Sequence, residues 1–129
     1  MANMFADMAR KAVSNSRVRE GRTVIQTTEL VRNYPEGITI VDFDILNAYD
    51  SRTKQMQSFP TVAFAEDTTR YWNGGSAMMN IASEWLKHFE GDIESCVAAL
   101  KASGGVKIKV LPAVKTGSGN SYTPIEVIG

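Results

Sequence analysis

The chain has 129 residues, 14 Lys+Arg against 14 Asp+Glu, 43% hydrophobic and 22% charged side chains, the profile of one compact domain rather than two. At this length roughly two thirds of the unfolded surface can be buried, so a core needs neither disulfides nor a structural metal. The single cysteine, Cys96, excludes an internal disulfide and nothing resembles a Cys/His zinc cluster, so a reducing cytoplasm is the expected setting.

The zero net charge is a sum of unlike segments: +3 over residues 1–35, −5 over 36–104 and +2 over 105–129. A neutral total therefore does not exclude a polarised surface, and only the fold decides whether the basic ends share a face. No stretch approaches the roughly 18 uninterrupted apolar residues of a membrane span, and no membrane partner is expected. Asp7 and Arg10 stand where a secretory signal would need an apolar run.

In chain order, Met4, Met8 and Ala12 at spacings of four, with Phe5 beside them, predict a short amphipathic helix over residues 3–13. The polar run Ser14 to Gly21, with Arg17 and Arg19 and then Arg22, reads as a loop or the start of an edge strand. Residues 1–21 are thus an N-terminal helix and arm, and 22–129 a single domain. Thr23, Val24 and Ile25 form a weak first strand, and Thr27 or Thr28 is placed to cap a helical turn that Tyr34-Pro35 and Gly37 stop.

Ile38 to Leu46 is the clearest strand: strict alternation puts Thr39, Val41, Phe43 and Ile45 on one face and Ile38, Ile40, Asp42, Asp44 and Leu46 on the other. Asn47 to Gln57 is a polar arm leading to a second strand at Ser58 to Ala65, a hairpin with a long arm. Asp67 to Arg70 is a polar run, and Gly74-Gly75 closes the strand region. Ser76 is placed to cap a helix carrying Met78, Ile81, Trp85 and Phe89, and Asp92 to cap another carrying Ile93, Cys96, Val97 and Leu100. Val106 to Leu111 and Tyr122 to Ile128 form a terminal hairpin around the loop Lys115–Asn120.

Three strands, a helical insert and two strands is the order of an OB-fold, so the expected class is mainly β with a helical insert (α+β), an OB-fold-like five-stranded barrel with helices between strands 3 and 4. An open α+β sandwich of two hairpins and a helical layer uses the same elements.

Catalytic chemistry finds little support. His88, the only histidine, reads as a helix-surface residue, and Cys96 as a small core residue on an apolar stripe. Asp42, Asp44 and Glu66-Asp67 could meet around magnesium, yet alternating acids are usually a strand's wet face, and no lysine follows Glu66 at the short interval of a nuclease core. Gly74-Gly75-Ser76 lacks the lysine and the glycine frame of a phosphate loop. No catalytic residue and no metal site is assigned.

Single strands are held by aromatic rings that stack bases and by cations that follow phosphates. The candidates are Tyr49, Arg52 and Lys54 on the first arm, Tyr71 and Trp72 before the glycine pair, Lys107 and Lys109 on one strand face, and Lys115 and Tyr122 in the terminal hairpin. Phe43, Phe59, Phe64 and Trp85 are expected to fill the core. Tyr71-Trp72 is evenly balanced between core and surface, and Lys107 and Lys109 also suit the solvated face of an edge strand.

Over roughly residues 22–128 the chain resembles the small single-stranded-DNA-binding proteins of tailed phages and prophages. The resemblance lies in Thr28-Glu29-Leu30 with Tyr34-Pro35-Glu36-Gly37, the strand Ile38 to Asp44, the turn Tyr71-Trp72-Asn73-Gly74-Gly75, and Gly105-Val106-Lys107-Ile108 with Lys115 to Tyr122. It implies an OB-fold that coats single-stranded DNA without sequence preference in phage DNA replication or recombination. It further implies a homo-oligomer in the bacterial host cytoplasm, with no cofactor and no small-molecule substrate. Carried onto this chain, Tyr71, Trp72 and Tyr49 or Tyr122 would stack, while Arg52, Lys54, Lys107, Lys109 and Lys115 would contact the backbone. Many bacterial relatives end in a flexible acidic tail; here Thr123 to Gly129 reads as a strand, so recruitment of partners by a tail is not expected. The alternative from another class is a phage structural or assembly protein acting through protein contacts, with a metal-dependent nuclease a distant third. If DNA is held, Asp42, Asp44, Glu66 and the helix acids must face away from it.

Overall fold

The computed structural model describes residues 16, 18–50, 54–115 and 121–129. The helix expected over residues 3–13, Arg17, Arg52 and the loop Thr116–Asn120 lie outside the described residues. The elements are β1 (Thr23–Ile25), α1 (Thr27–Asn33), β2 (Ile38–Asp50), β3 (Gln55–Phe64), β4 (Asp67–Asn73), α2 (Ser76–His88), α3 (Ile93–Ala102), β5 (Val106–Val110), β6 (Val114–Lys115), β7 (Ser121–Tyr122) and β8 (Ile125–Val127).

Six strands form one sheet in the order β1-β4-β3-β2-β5-β8, curled into a half-barrel, while β6 and β7 pair as a separate small hairpin. The architecture is mainly β, α+β and barrel-like. Two features differ from the expected five-stranded barrel. The polar run Asp67 to Arg70 is half of β4: Thr68 and Thr69 suit a strand and are both exposed, while Trp72 anchors the strand in the core. The weak first strand does not lead the meander; it pairs parallel with β4, Ile25 opposite Trp72, and forms one edge of the sheet.

The β2–β3 ladder runs on through the polar arm, with Asn47 opposite Ser58 and Tyr49 opposite Met56. Nearer the core, the register slips between Ile40 and Asp42, which leaves Val41 as the extra residue of a bulge. The slip changes which parity faces inward. Ile38 and Ile40 point into the core before it, and Phe43 and Ile45 after it, so neither alternating set expected for this strand is continuous. Pro60 sits in a central strand, a position normally closed to proline. Its carbonyl accepts from Gly74 N at 3.0 Å, so its nitrogen faces Gly74, just past the end of β4, rather than β2.

All three helices share one core with the inward strand residues: Leu30 of α1, Met78 and Ala82 of α2, and Cys96, Val97 and Leu100 of α3 join Ile38, Ile40, Phe43, Val62, Phe64, Trp72 and Ile108. Phe43 and Trp85 meet ring to ring, with centroids 5.5 Å apart. Two caps differ from expectation. The N-cap of α1 is Gln26, because the Thr27 hydroxyl accepts the Trp72 indole N–H instead, and that of α2 is Gly75 rather than Ser76. Asp92 caps α3 as expected, accepting from Ser95 N at 3.2 Å.

Candidate nucleic-acid interface

The helices and the core occupy one face of the sheet, so the opposite, outer face is the one the helices leave to other segments. Register assigns its residues. Phe43, Val62 and Trp72 form an inward cross-strand row, so the rows beside it, Asp42–Ala63–Tyr71 and Asp44–Thr61–Asn73, face outward. Phe59, two residues before Thr61 and opposite Leu46, belongs to the same outer face. On β5 the burial pattern turns Ile108 and Val110 inward, which leaves Lys107 opposite Thr39 and Lys109 opposite Glu126 on the outer face.

The chain segment preceding β1 crosses this face. Ser16 Oγ donates to Asp44 Oδ2 at 3.0 Å, and Arg19 Nη2 donates to Asn73 Oδ1 at 2.9 Å. The Arg19 guanidinium carbon lies 5.0 Å from the centroid of Tyr71 and 5.5 Å from that of Phe59, a cation held by two rings. Val18 and Ala63 are buried, yet both stand apart from the main core cluster.

The expected site residues divide. Tyr71 is half-buried on the outer face, with the Arg19 guanidinium over its ring. Trp72 is corrected: it is 1% exposed, points into the core and is tied by its indole nitrogen to Thr27, so it offers no ring to a ligand. Tyr49 is 63% exposed, and with Lys54 it sits at the far end of the β2–β3 arm. Arg52 lies outside the described residues. Lys115 and Tyr122 are exposed on the β6–β7 hairpin. That hairpin and the arm leave from opposite ends of β2, since β5 pairs with Ile38–Ile40 and the arm continues from Asp50.

Two residues of this face were not found by sequence reasoning. Phe59 was expected in the core, but it has the parity of Thr61 and Ala63 and the opposite parity to Val62 and Phe64, a signal present in the strand's own alternation. Arg19 had no signal, because its position over the rings depends on a turn closed by Arg19 N and Glu20 N on Ser16 O, each at 3.0 Å.

The acids do not gather. Asp42 is buried, with Lys101 Nζ 3.5 Å from Oδ2, and Asp44 accepts from Ser16 Oγ and from Ile45 N. Glu66 accepts from Thr39 N at 2.7 Å and Thr39 Oγ1 at 2.9 Å. Among the described residues, no group of three or more His, Cys, Asp or Glu is placed to hold a metal ion. Asp42 and Asp44 nonetheless share the outer face with Tyr71 instead of facing away from it, and their charges there are met by Lys101 and by hydrogen bonds from the chain itself.

His88 is exposed on α2 beside Glu84, and Cys96 is buried, where desolvation pushes its thiol up. Two grooves flank these elements. One, of about 290 Å³, is apolar and runs between α2 and α3 past Trp85, Phe89 and Leu100. The other, of about 330 Å³, opens beside Phe59 and is lined by Ser58, Gly74, Gly75 and Asn80. No helix among the described residues is long and apolar enough to cross a membrane. No protein-family model, curated protein or solved structure matches the chain.

Proposed function

We propose that this chain is a non-catalytic, sequence-tolerant single-stranded-DNA-binding module on an OB-type sheet, serving phage-type DNA replication or recombination in the bacterial cytoplasm as a homo-oligomer. OB-folds take oligonucleotides on the face of their second and third strands and on the loops joining strands 1–2 and 4–5. Counting β2, β3, β4, β5 and β8 as the five strands, with α2 and α3 between the third and fourth, gives the corresponding parts. They are the β3–β4 face with Phe59 and Tyr71, the β2–β3 arm with Tyr49 and Lys54, and the β5–β8 connection with Lys115 and Tyr122.

The observation that carries the reading is that aromatic rings outside the core stand at all three parts, with a lysine near the ring at the arm and at the β5–β8 connection. Rings supply stacking that tolerates any base, and lysines follow the phosphates. The departures from an OB barrel are the parallel strand β1 on the edge of β4 and the position of β8 as the other edge of the sheet.

The test is fluorescence anisotropy of labelled oligo-dT of about 25 nucleotides. Binding at low salt that weakens linearly on a log–log plot as salt rises is expected. Absence of binding at low salt both by the folded protein and by its folded Arg19→Ala variant overturns the reading.

A second reading has its own observation. Edge strand β8 exposes Val127 at 58%, and Ile128 beside it is 50% exposed. These apolar side chains at the edge strand of the sheet among the described residues favour an assembly protein acting through protein contacts. Concentration-dependent sedimentation lost in Val127→Lys, without any oligo-dT binding, would favour it over the first.

A further inference from the structure

We propose that Ser16 and the turn Val18–Gly21 form a strap that keeps the outer face closed, and that Arg19 and a nucleobase compete for the slot between Phe59 and Tyr71. The inference rests on the single-strand reading and concerns the regulation of that same face. A guanidinium and a base are both flat groups that lie on aromatic rings, and the two rings already hold Arg19 at 5.5 and 5.0 Å. A base cannot take the same place until Arg19 leaves.

The base of the strap is fixed by Arg22, while farther out the Ser16–Asp44 and Arg19–Asn73 hydrogen bonds and the buried Val18 hold it down over two polar atoms that lack a partner among the described residues. Arg22 fixes the base, donating from Nε to Thr68 O at 3.1 Å and from Nη1 to Val18 O at 3.0 Å. Immediately before it, Gly21 has φ +72° and open space where a side chain would stand, the conformation and room of a pivot. Farther out, the Arg19 Nε is buried with no hydrogen-bond acceptor among the described residues. Thr61 lies between Asp44 and Asn73, the two residues the strap grips, and among the described residues its hydroxyl is also buried without a partner. Opening the strap gives both groups access to water, which offsets part of the cost of separating the cation from its rings. Such a closed state lowers apparent affinity by the fraction of molecules that are open.

The experiment measures labelled oligo-dT binding across a salt series for the wild type, Arg19→Ala, Asn73→Ala and Tyr71→Ala, with thermal melts to establish folding. Arg19→Ala is expected to bind about three- to tenfold tighter, with an unchanged salt slope, because one cation no longer has to leave two rings. Asn73→Ala shifts affinity the same way by less and is the deciding variant should Arg19→Ala not fold. Tyr71→Ala binds more weakly. In the wild type, saturating oligo-dT should raise hydrogen exchange at the amides of Arg19, Glu20 and Arg22, which close the turn.

Unchanged affinity in Arg19→Ala overturns the strap. So does weaker binding with a salt slope reduced by about 0.7, which makes Arg19 a phosphate contact instead. Binding by Arg19→Ala where the wild type is silent supports the strap. Failure of the folded wild type and of both folded strap variants to bind overturns the single-strand reading itself.

Discussion

Trp72 donates its indole N–H to Thr27 Oγ1 across 2.9 Å, joining the innermost ring of β4 to the first residue of α1. Since Ile25, two residues earlier, is also the register partner of Trp72, a single residue holds both β1 and α1 against the sheet. Trp72→Ala should therefore destabilise the fold by about 3–5 kcal/mol, the usual cost of truncating a buried aromatic. Thr27→Val, which strands the buried N–H, should cost about 1–3 kcal/mol. Urea denaturation reads both, and a native-like midpoint for Trp72→Ala would refute the assignment.

Gly104 and Gly105 separate two effects of glycine at adjacent positions. Both have positive φ, +87° and +92°, but a Cβ on Gly104 meets nothing within 4 Å, whereas one on Gly105 falls 2.7 Å from the carbonyl oxygen of Ile40. Gly104→Ala should cost about 1 kcal/mol, from backbone strain alone. Gly105→Ala should cost clearly more, because it also forces β5 away from β2, where Val106 pairs with Ile40. Equal melting temperatures for the two variants would contradict this.

Asp92 gives the fold an acid-sensitive helix cap. Hydrogen bonds from the Ser95 hydroxyl and backbone N–H hold its carboxyl below the ordinary aspartate value. A group whose pKa is depressed by folding contributes stability that is fully present above its unfolded pKa and is lost as pH falls through the folded one. Asp92→Asn keeps an acceptor at the cap but removes the titration. The melting temperature of the wild type should exceed that of Asp92→Asn near neutrality, and the gap should close below the ordinary aspartate pKa. A gap that is constant with pH would show that charge plays no part.

Lys107 and Lys109 offer a test of the outer face that stacking does not influence. Their side chains share one side of β5, opposite that of the buried Ile108 and Val110. Replacing both by glutamine should reduce the salt slope of oligo-dT binding by about 1.4, from about 0.7 for each single-strand phosphate that a lysine no longer neutralises. Stability should move by less than about 0.5 kcal/mol. An unchanged slope would remove both from the interface.

Much of this fold was legible in local pattern. The strands β2, β3 and β5, the helices α2 and α3, and the Asp92 cap follow from side-chain period and capping chemistry, which act within a few residues. Strand β4 was illegible because the run Asp67 to Arg70 is polar, and its place depends on having β3 on one side and β1 on the other. The bulge at Val41 was equally hidden. Alternation in the sequence continues through it, while the slip exists only in the pairing with β3, where Ile40 meets Phe64 and Asp42 meets Ala63.

The candidate site shows the same division. By itself the sequence determined which side chains could stack or carry positive charge, and that the neutral total conceals unlike segments. Only the tertiary structure decided their sides. It sent Trp72 into the core and Phe59 out of it, and it set Arg19 across rings 40 and 52 positions away in the chain. The physical reason is that face, register and long-range cation–ring contact are properties of paired strands. A side chain's chemistry is fixed where it is written, whereas its exposure is settled by what the rest of the chain lays beside it.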